Sequence, residues 1–182
     1  MIMNTLNEYL NKCDKFFFNV YQQSQLLHRG QTRRDDITPY FDHPYTVAKS
    51  VLQYCFYNSI AEDHVPLLVS ISLAHDTIED TDFNFTDWRN FLSEGLSSSQ
   101  LDIFCEALER LTKEDGVDYY DYLSGVKSNY FASIVKIQDI YANLNDHPSK
   151  KQIKKANRKI RQSPEVLERY LMIQLPSEKE VK

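Results

Sequence analysis

The segment LAHDTIEDT, residues 73–81, brings His75, Asp76, Glu79 and Asp80 together in an otherwise apolar stretch. In a helix of 3.6 residues per turn, His75 stacks above Glu79 and Asp76 above Asp80, so the four polar heads share one face. Burying carboxylates without partners costs several kcal/mol or more, so such a face needs a cation, a set of donors or access to water. A divalent metal would satisfy all four groups. Solvated ion pairs at a helix end would also do so, and the short string alone does not choose between them.

The elements that must position these groups are legible as periodicity. Upstream, PLLVSISLA places Leu67, Leu68, Ile71 and Ala74 at helical spacing, with Pro66 suited to a first helical turn, which predicts a core helix with a polar end. Leu6, Leu10, Cys13, Phe17, Val20 and Leu27 mark an amphipathic first helix ending near His28, with one gap in the stripe at Ser24. RGQTRRDDITPYFD, from Arg29 to Asp42, breaks that period with a glycine, paired aspartates and a Thr-Pro, and is a cationic loop through Arg29, Arg33 and Arg34. Pro44 opens a second helix that buries Val47, Val51, Leu52 and Cys55, with His43 standing at its N-terminus.

Beyond the acidic segment, Thr86 is a plausible cap for a short helix. SSSQ caps another, built on Leu101, Phe104, Cys105, Leu108 and Leu111. A loop around Gly116 leads to a tyrosine-rich helix, and NYFASIVKIQDIYANL sets Asp139 and Asn143 one turn apart on a mostly apolar helix. Ser163 and Pro164 resemble the start of a last helix, followed by a polar tail.

These patterns describe an all-α chain, read as one domain over residues 1–182. Four glycines and six prolines in 182 residues, with 42% apolar and 13% aromatic content, disfavour a turn-rich β protein. No stretch approaches ~18 continuous apolar residues and the N-terminus lacks a signal-peptide pattern, so a soluble, cytoplasmic protein with no membrane partner is expected. Cys13, Cys55 and Cys105 are odd in number, far apart and on apolar faces, as buried thiols are. A net charge of −5 argues against a general nucleic-acid binder. The tract from Lys150 to Arg161, seven basic residues in twelve, is expected to be a solvated helix face.

Three blocks in order, HRGQTRRDDITPYFDHPYTVA, LAHDTIEDT and VKIQDIYANL, resemble the HD-type hydrolase domain of RelA/SpoT-like proteins, the alarmone hydrolases, over about residues 24–145. The resemblance implies a single helical HD domain with a metal site between helices, and makes His43, His75, Asp76 and Asp139 the ligands of one divalent ion, usually manganese. Two imidazoles and two carboxylates suit a borderline to hard divalent ion, whereas structural zinc usually takes closely spaced cysteine pairs, which the chain lacks. Glu79 and Asp80 match the acidic pair that orients and deprotonates the attacking water. Arg33 matches the basic residue of the H-x-G-Q-x-R loop, followed by Arg34, and both imply contact with a purine or with phosphates. Lys113 falls in the loop after the Leu-Thr step, and Asn143 one turn past the last ligand.

The activity so implied is metal-dependent removal of the 3′-diphosphate from guanosine tetra- or pentaphosphate, (p)ppGpp, by a stand-alone small alarmone hydrolase, the chain being too short for an accompanying synthetase domain. Rival readings keep the site with another nucleotide, an adenine alarmone or the 2′-phosphate of NADPH, or make the chain a nucleotide-binding regulator without turnover. The chain departs from the family pattern in the loop RRDDITPY, which lacks the usual glycine, and at Ile140-Tyr141, where a charged pair is common. Outside the blocks, His28 is expected to pack within its loop and His64 and His147 to lie on the surface. Tyr119, Tyr120 and Tyr122 are expected as core and rim aromatics, and Lys136 as a solvated or helix-end charge.

Overall fold

A computed structural model describes residues 15–145, all helical apart from connecting loops. In chain order the helices are α1 (Lys15–Leu27), α2 (Asp42–Tyr57), α3 (His64–Ala74), the single turn α4 (Thr77–Asp80), α5 (Phe85–Leu92), α6 (Ser98–Leu111), α7 (Tyr119–Lys127) and α8 (Tyr130–Asn145). The all-α expectation is met: among the described residues the one β-type pairing is an isolated bridge between Thr32 and Pro39. Cys13, His147, the basic tract 150–161 and the helix expected from Ser163 lie outside the described residues.

Helix α3 is the axis of the fold. Val65 and every residue from Leu67 to Ala74 are buried, and α1, α2, α6 and α8 pack around it. A helix apolar on all sides is a central one, so the core helix expected over Leu67, Leu68, Ile71 and Ala74 is present and buried on every face. Ser70 and Ser72 are buried too. Ser72 avoids a desolvation penalty by donating to the Leu68 carbonyl at 2.7 Å. The gap at Ser24 in the α1 stripe is likewise interior, its side chain fully buried.

Three local details differ from expectation. Residues 75–76 do not continue a single helix into 77–80 but form a turn between α3 and α4. The cause is local competition for the last carbonyls of α3: His75 Nδ1 donates to Ser72 O at 2.7 Å and Thr77 Oγ1 to Ala74 O at 2.6 Å. The cap of α5 is Asn84 rather than Thr86, because Asn84 accepts from the Thr86 and Asp87 amides while Asp87 accepts from the Asn84 amide, a reciprocal capping box. His64 is half-buried against Tyr130 and Phe131 instead of lying free on the surface. Ser97 and Gln100 form the capping box at α6, and Gly116 turns the chain at φ +82°.

Candidate metal centre

Each functional side chain is set by a different piece of this scaffold. His43 lies in the first turn of α2, His75 and Asp76 in the turn after α3, and Asp139 two turns before the described end of α8. They converge. One ligand atom each from His43, His75 and Asp76 lies within 4.8 Å of the others. Asp139 Oδ1 stands 3.0 Å from His43 Nε2 and 3.8 Å from His75 Nε2, and His75 Nε2 is 3.1 Å from Asp76 Oδ1.

The second contacts of these groups decide what they can hold. Because the Ser72 carbonyl only accepts, the hydrogen of His75 sits on Nδ1 in the neutral ring, and the Nε2 lone pair points into the cluster. That Nε2 is buried and makes no hydrogen bond. An imidazole fixed through Nδ1 and left open at Nε2 is the arrangement a metal-binding histidine takes. The nitrogen and oxygen donors fit a divalent ion of borderline to hard character. The buried cysteines Cys55 and Cys105 take no part, as free thiols on α2 and α6.

Opposite charges within the cluster act on one another at close range. Burial pulls the His75 imidazole down, yet Asp76 and Asp139 outweigh it and raise its pKa to about 9. Burial opposes ionisation of Asp139 too, but the Lys136 ammonium and the two imidazoles hold its carboxyl far below the usual range. Tyr40 donates its hydroxyl to Asp76 Oδ2 at 3.0 Å, and burial together with Asp76 and Asp80 pushes that phenol well above its ordinary pKa, so it stays a donor.

Beside the cluster opens a cavity of about 390 Å³, lined by Thr32, Arg33, Arg34, Tyr40, Glu79, Lys136 and Asn143 together with His43, Asp76 and Asp139. Arg33 reaches it from the loop before α2 and is held on two sides. Its guanidinium lies 5.5 Å from the Tyr40 ring centre and donates to Asn143 Oδ1 at 3.2 Å. Asn143 in turn donates to Asp139 Oδ1 at 2.6 Å. Glu79 accepts a short hydrogen bond from the Lys113 amide, and partial desolvation raises its pKa.

No family model matches the chain, and no curated protein matches it. The site therefore stands on its own geometry.

Of the residues singled out in the sequence, His43, His75, Asp76, Asp139, Glu79, Arg33, Arg34 and Asn143 are brought together. Asp80 is exposed and outside the cavity lining, where its carbonyl accepts from Gln31 Nε2 at 2.8 Å. Lys113 serves through its backbone amide on Glu79, while its ammonium donates to the Glu114 carbonyl at 3.1 Å. One residue was misplaced in the sequence and one was missed. Lys136 is not a solvated charge but a buried ion pair with Asp139, at 2.8 Å, and its position three residues before a ligand on the same helix was the available signal. Tyr40, bonded to one ligand, had no signal beyond its place between the arginines and His43.

His28 is buried at the end of α1, stacked on Tyr40 with ring centres 4.8 Å apart, and its Nδ1 donates to Gln31 Oε1 at 2.8 Å. Burial lowers its pKa, and it packs within the loop as expected. Among Tyr119, Tyr120 and Tyr122, the last is buried and bonded to the Leu111 carbonyl at 2.6 Å, and Tyr120 is exposed. No helix among the described residues is long and apolar enough to cross a membrane.

Proposed function

We propose that the chain is an HD-type, metal-dependent phosphohydrolase of a nucleotide, and that guanosine 3′,5′-bis(diphosphate), (p)ppGpp, is its substrate. The observation that carries this reading is the open Nε2 of His75, aimed among His43, Asp76 and Asp139 at the edge of a cavity that also holds Glu79, Arg33 and Arg34. His43, His75, Asp76 and Asp139 are assigned as ligands of a divalent ion, with manganese proposed. Such an ion supplies a lowered pKa for water and neutralisation of phosphoryl charge.

The chain's own groups supply the rest. Glu79 accepts the proton of the attacking water: its carboxyl lines the cavity, and a raised pKa brings a general base closer to neutral pH. Asp80 is assigned to the leaving group. Arg33 and Arg34 grip the anionic nucleotide, Arg33 by forking onto a phosphate or stacking on a base, with Asn143 holding it in place.

The test is a substrate screen of the manganese-loaded protein against guanosine tetraphosphate, an adenine alarmone and NADPH. GDP and pyrophosphate from the first support the reading. Orthophosphate from NADPH alone, or products from the adenine compound alone, move the substrate while keeping the chemistry. Tight binding with no product from any of the three refutes hydrolysis and makes the chain a nucleotide-binding regulator.

A further inference from the structure

Lys136 is a cation packed directly on an assigned ligand. Its ammonium donates to Asp139 Oδ2 at 2.8 Å, with only 17% of the lysine side chain and 7% of the aspartate side chain exposed. The ammonium also lies 5.5 Å from the Tyr122 ring centre and lines the same cavity as Glu79 and Arg33. A buried ion pair adds little net stability once desolvation is counted, so a role in arranging its partner is a natural reason for it.

The arrangement is specific, because the two oxygens of Asp139 face different partners. Oδ2 is taken by Lys136, and Oδ1 faces His43 Nε2 at 3.0 Å and accepts from Asn143 Nδ2 at 2.6 Å. With Oδ2 turned to the ammonium, Oδ1 is the oxygen that faces His43 and His75, where an ion would sit. Charge follows the same geometry. A divalent ion is balanced by Asp76 and Asp139 if both histidines are neutral ligands, so the remaining charges of the lining are Glu79 against Lys136, Arg33 and Arg34. Of these cations Lys136 is the one bonded to a candidate ligand, so its charge is felt at the centre itself, while the arginines act from the loop before α2.

We infer that Lys136 is a positioning residue that presents Asp139 to the ion through Oδ1 alone and lends the loaded centre the positive charge that draws in a phosphate group. The inference rests on the metal reading above and deepens it, since it names phosphate as the class of anion taken at this wall of the cavity.

Cobalt(II) in place of the native ion gives an optical readout of coordination that needs no turnover. Wild type, Lys136→Gln and Lys136→Arg are loaded with cobalt, their visible spectra recorded, and inorganic phosphate titrated in. The glutamine variant is expected to keep one ion per chain but change its spectrum, as Oδ2 becomes free to bind, and to lose about tenfold or more in phosphate affinity, as for a lost charged contact. Lys136→Arg should recover affinity to within about threefold. A wild-type spectrum and affinity in Lys136→Gln overturn the inference. Equal weakness of the two variants at full metal content overturns the charge role. Lys136→Met, which keeps an apolar stem over Tyr122, replaces the glutamine variant if circular dichroism shows that one unfolded. Failure of the wild type to take up cobalt refutes the metal reading itself, a result distinct from these.

Discussion

The turn that delivers His75 and Asp76 hangs on one buried hydroxyl, and Thr77→Val tests how much. Thr77 Oγ1 accepts from Trp88 Nε1 at 2.9 Å and donates to Ala74 O at 2.6 Å, with both side chains fully buried. Valine nearly matches threonine in volume, so the change opens no cavity. What it does is strand the indole N–H and take a partner from the last carbonyl of α3. One stranded buried donor costs about 1–3 kcal/mol, so with the weakened carbonyl we expect a loss of roughly 2–3 kcal/mol. For a chain of this size that lowers Tm by about 4–10 °C. Urea unfolding followed by the fluorescence of Trp88, the single tryptophan, and by circular dichroism measures it directly. The double variant Thr77→Val/Trp88→Phe, followed by circular dichroism alone, should cost less than the sum of the single changes, because the stranded donor has gone. A Thr77→Val protein within about 0.5 kcal/mol of wild type, well inside the range of neutral surface changes, would falsify the idea that this contact holds the turn.

Four further outcomes follow from the site. His75→Ala and Asp139→Ala should each lose bound divalent metal in elemental analysis while keeping helical circular dichroism; unchanged metal in both removes them from the ligand set. Glu79→Gln should retain the metal and reduce kcat by about 10²–10⁴-fold, as for a lost general base, and Asp80→Asn, outside the cavity lining, should reduce it less. Arg33→Ala should weaken kcat/KM by roughly 1.5–3 kcal/mol, and a wild-type value would detach Arg33 from the transition state. In metal-free protein, His75 has a folded pKa raised to about 9, so the stability it contributes is complete below the unfolded value near 6.5 and is lost as pH rises through 9. Urea midpoints in chelator from pH 6 to 9.5 should fall accordingly, and His75→Ala should flatten that fall.

Much of the scaffold was legible because helices write their packing into periodicity. The α6 stripe of Leu101, Phe104, Cys105, Leu108 and Leu111 is buried as spaced, and its Ser97 cap is in place. The four candidate ligands were legible through type and block, and their convergence only through the family resemblance, since periodicity does not show that His43 and Asp139 meet across 96 positions of sequence. The turn at residues 75–76 was hidden by its own residues: the string suits a helix, and only the side-chain donors of His75 and Thr77 divert it. Lys136 was misjudged for a similar reason. A lone lysine on an apolar helix usually snorkels to water, and the one local signal, Asp139 three residues on, does not by itself show that the pair is buried.

The loop before α2 shows how a departure in sequence was absorbed. Asp36 takes a left-handed backbone, φ +57°, where a glycine would sit without strain, and Asp35 steadies the bend by accepting from the Ile37 and Thr38 amides and the Thr38 hydroxyl. These contacts hold the Asp35 carboxyl at a pKa of about 2.

Helix α3, enclosed on every side, also sets the tempo of the site. A helix with no solvated face has no edge from which to fray, so its amides open to solvent only when its neighbours part, at a free energy close to that of the whole fold. His75 follows its last residue directly, and the cluster inherits that rigidity. The loop carrying Arg33 and Arg34 is tied by a short bridge and by bonds such as that from Arg33 to Asn143, and with less of it buried it is expected to open at lower cost. Hydrogen exchange should therefore divide the cavity in two: a ligand wall that stays closed for as long as the protein is folded, and an arginine wall that opens and closes many times in that interval.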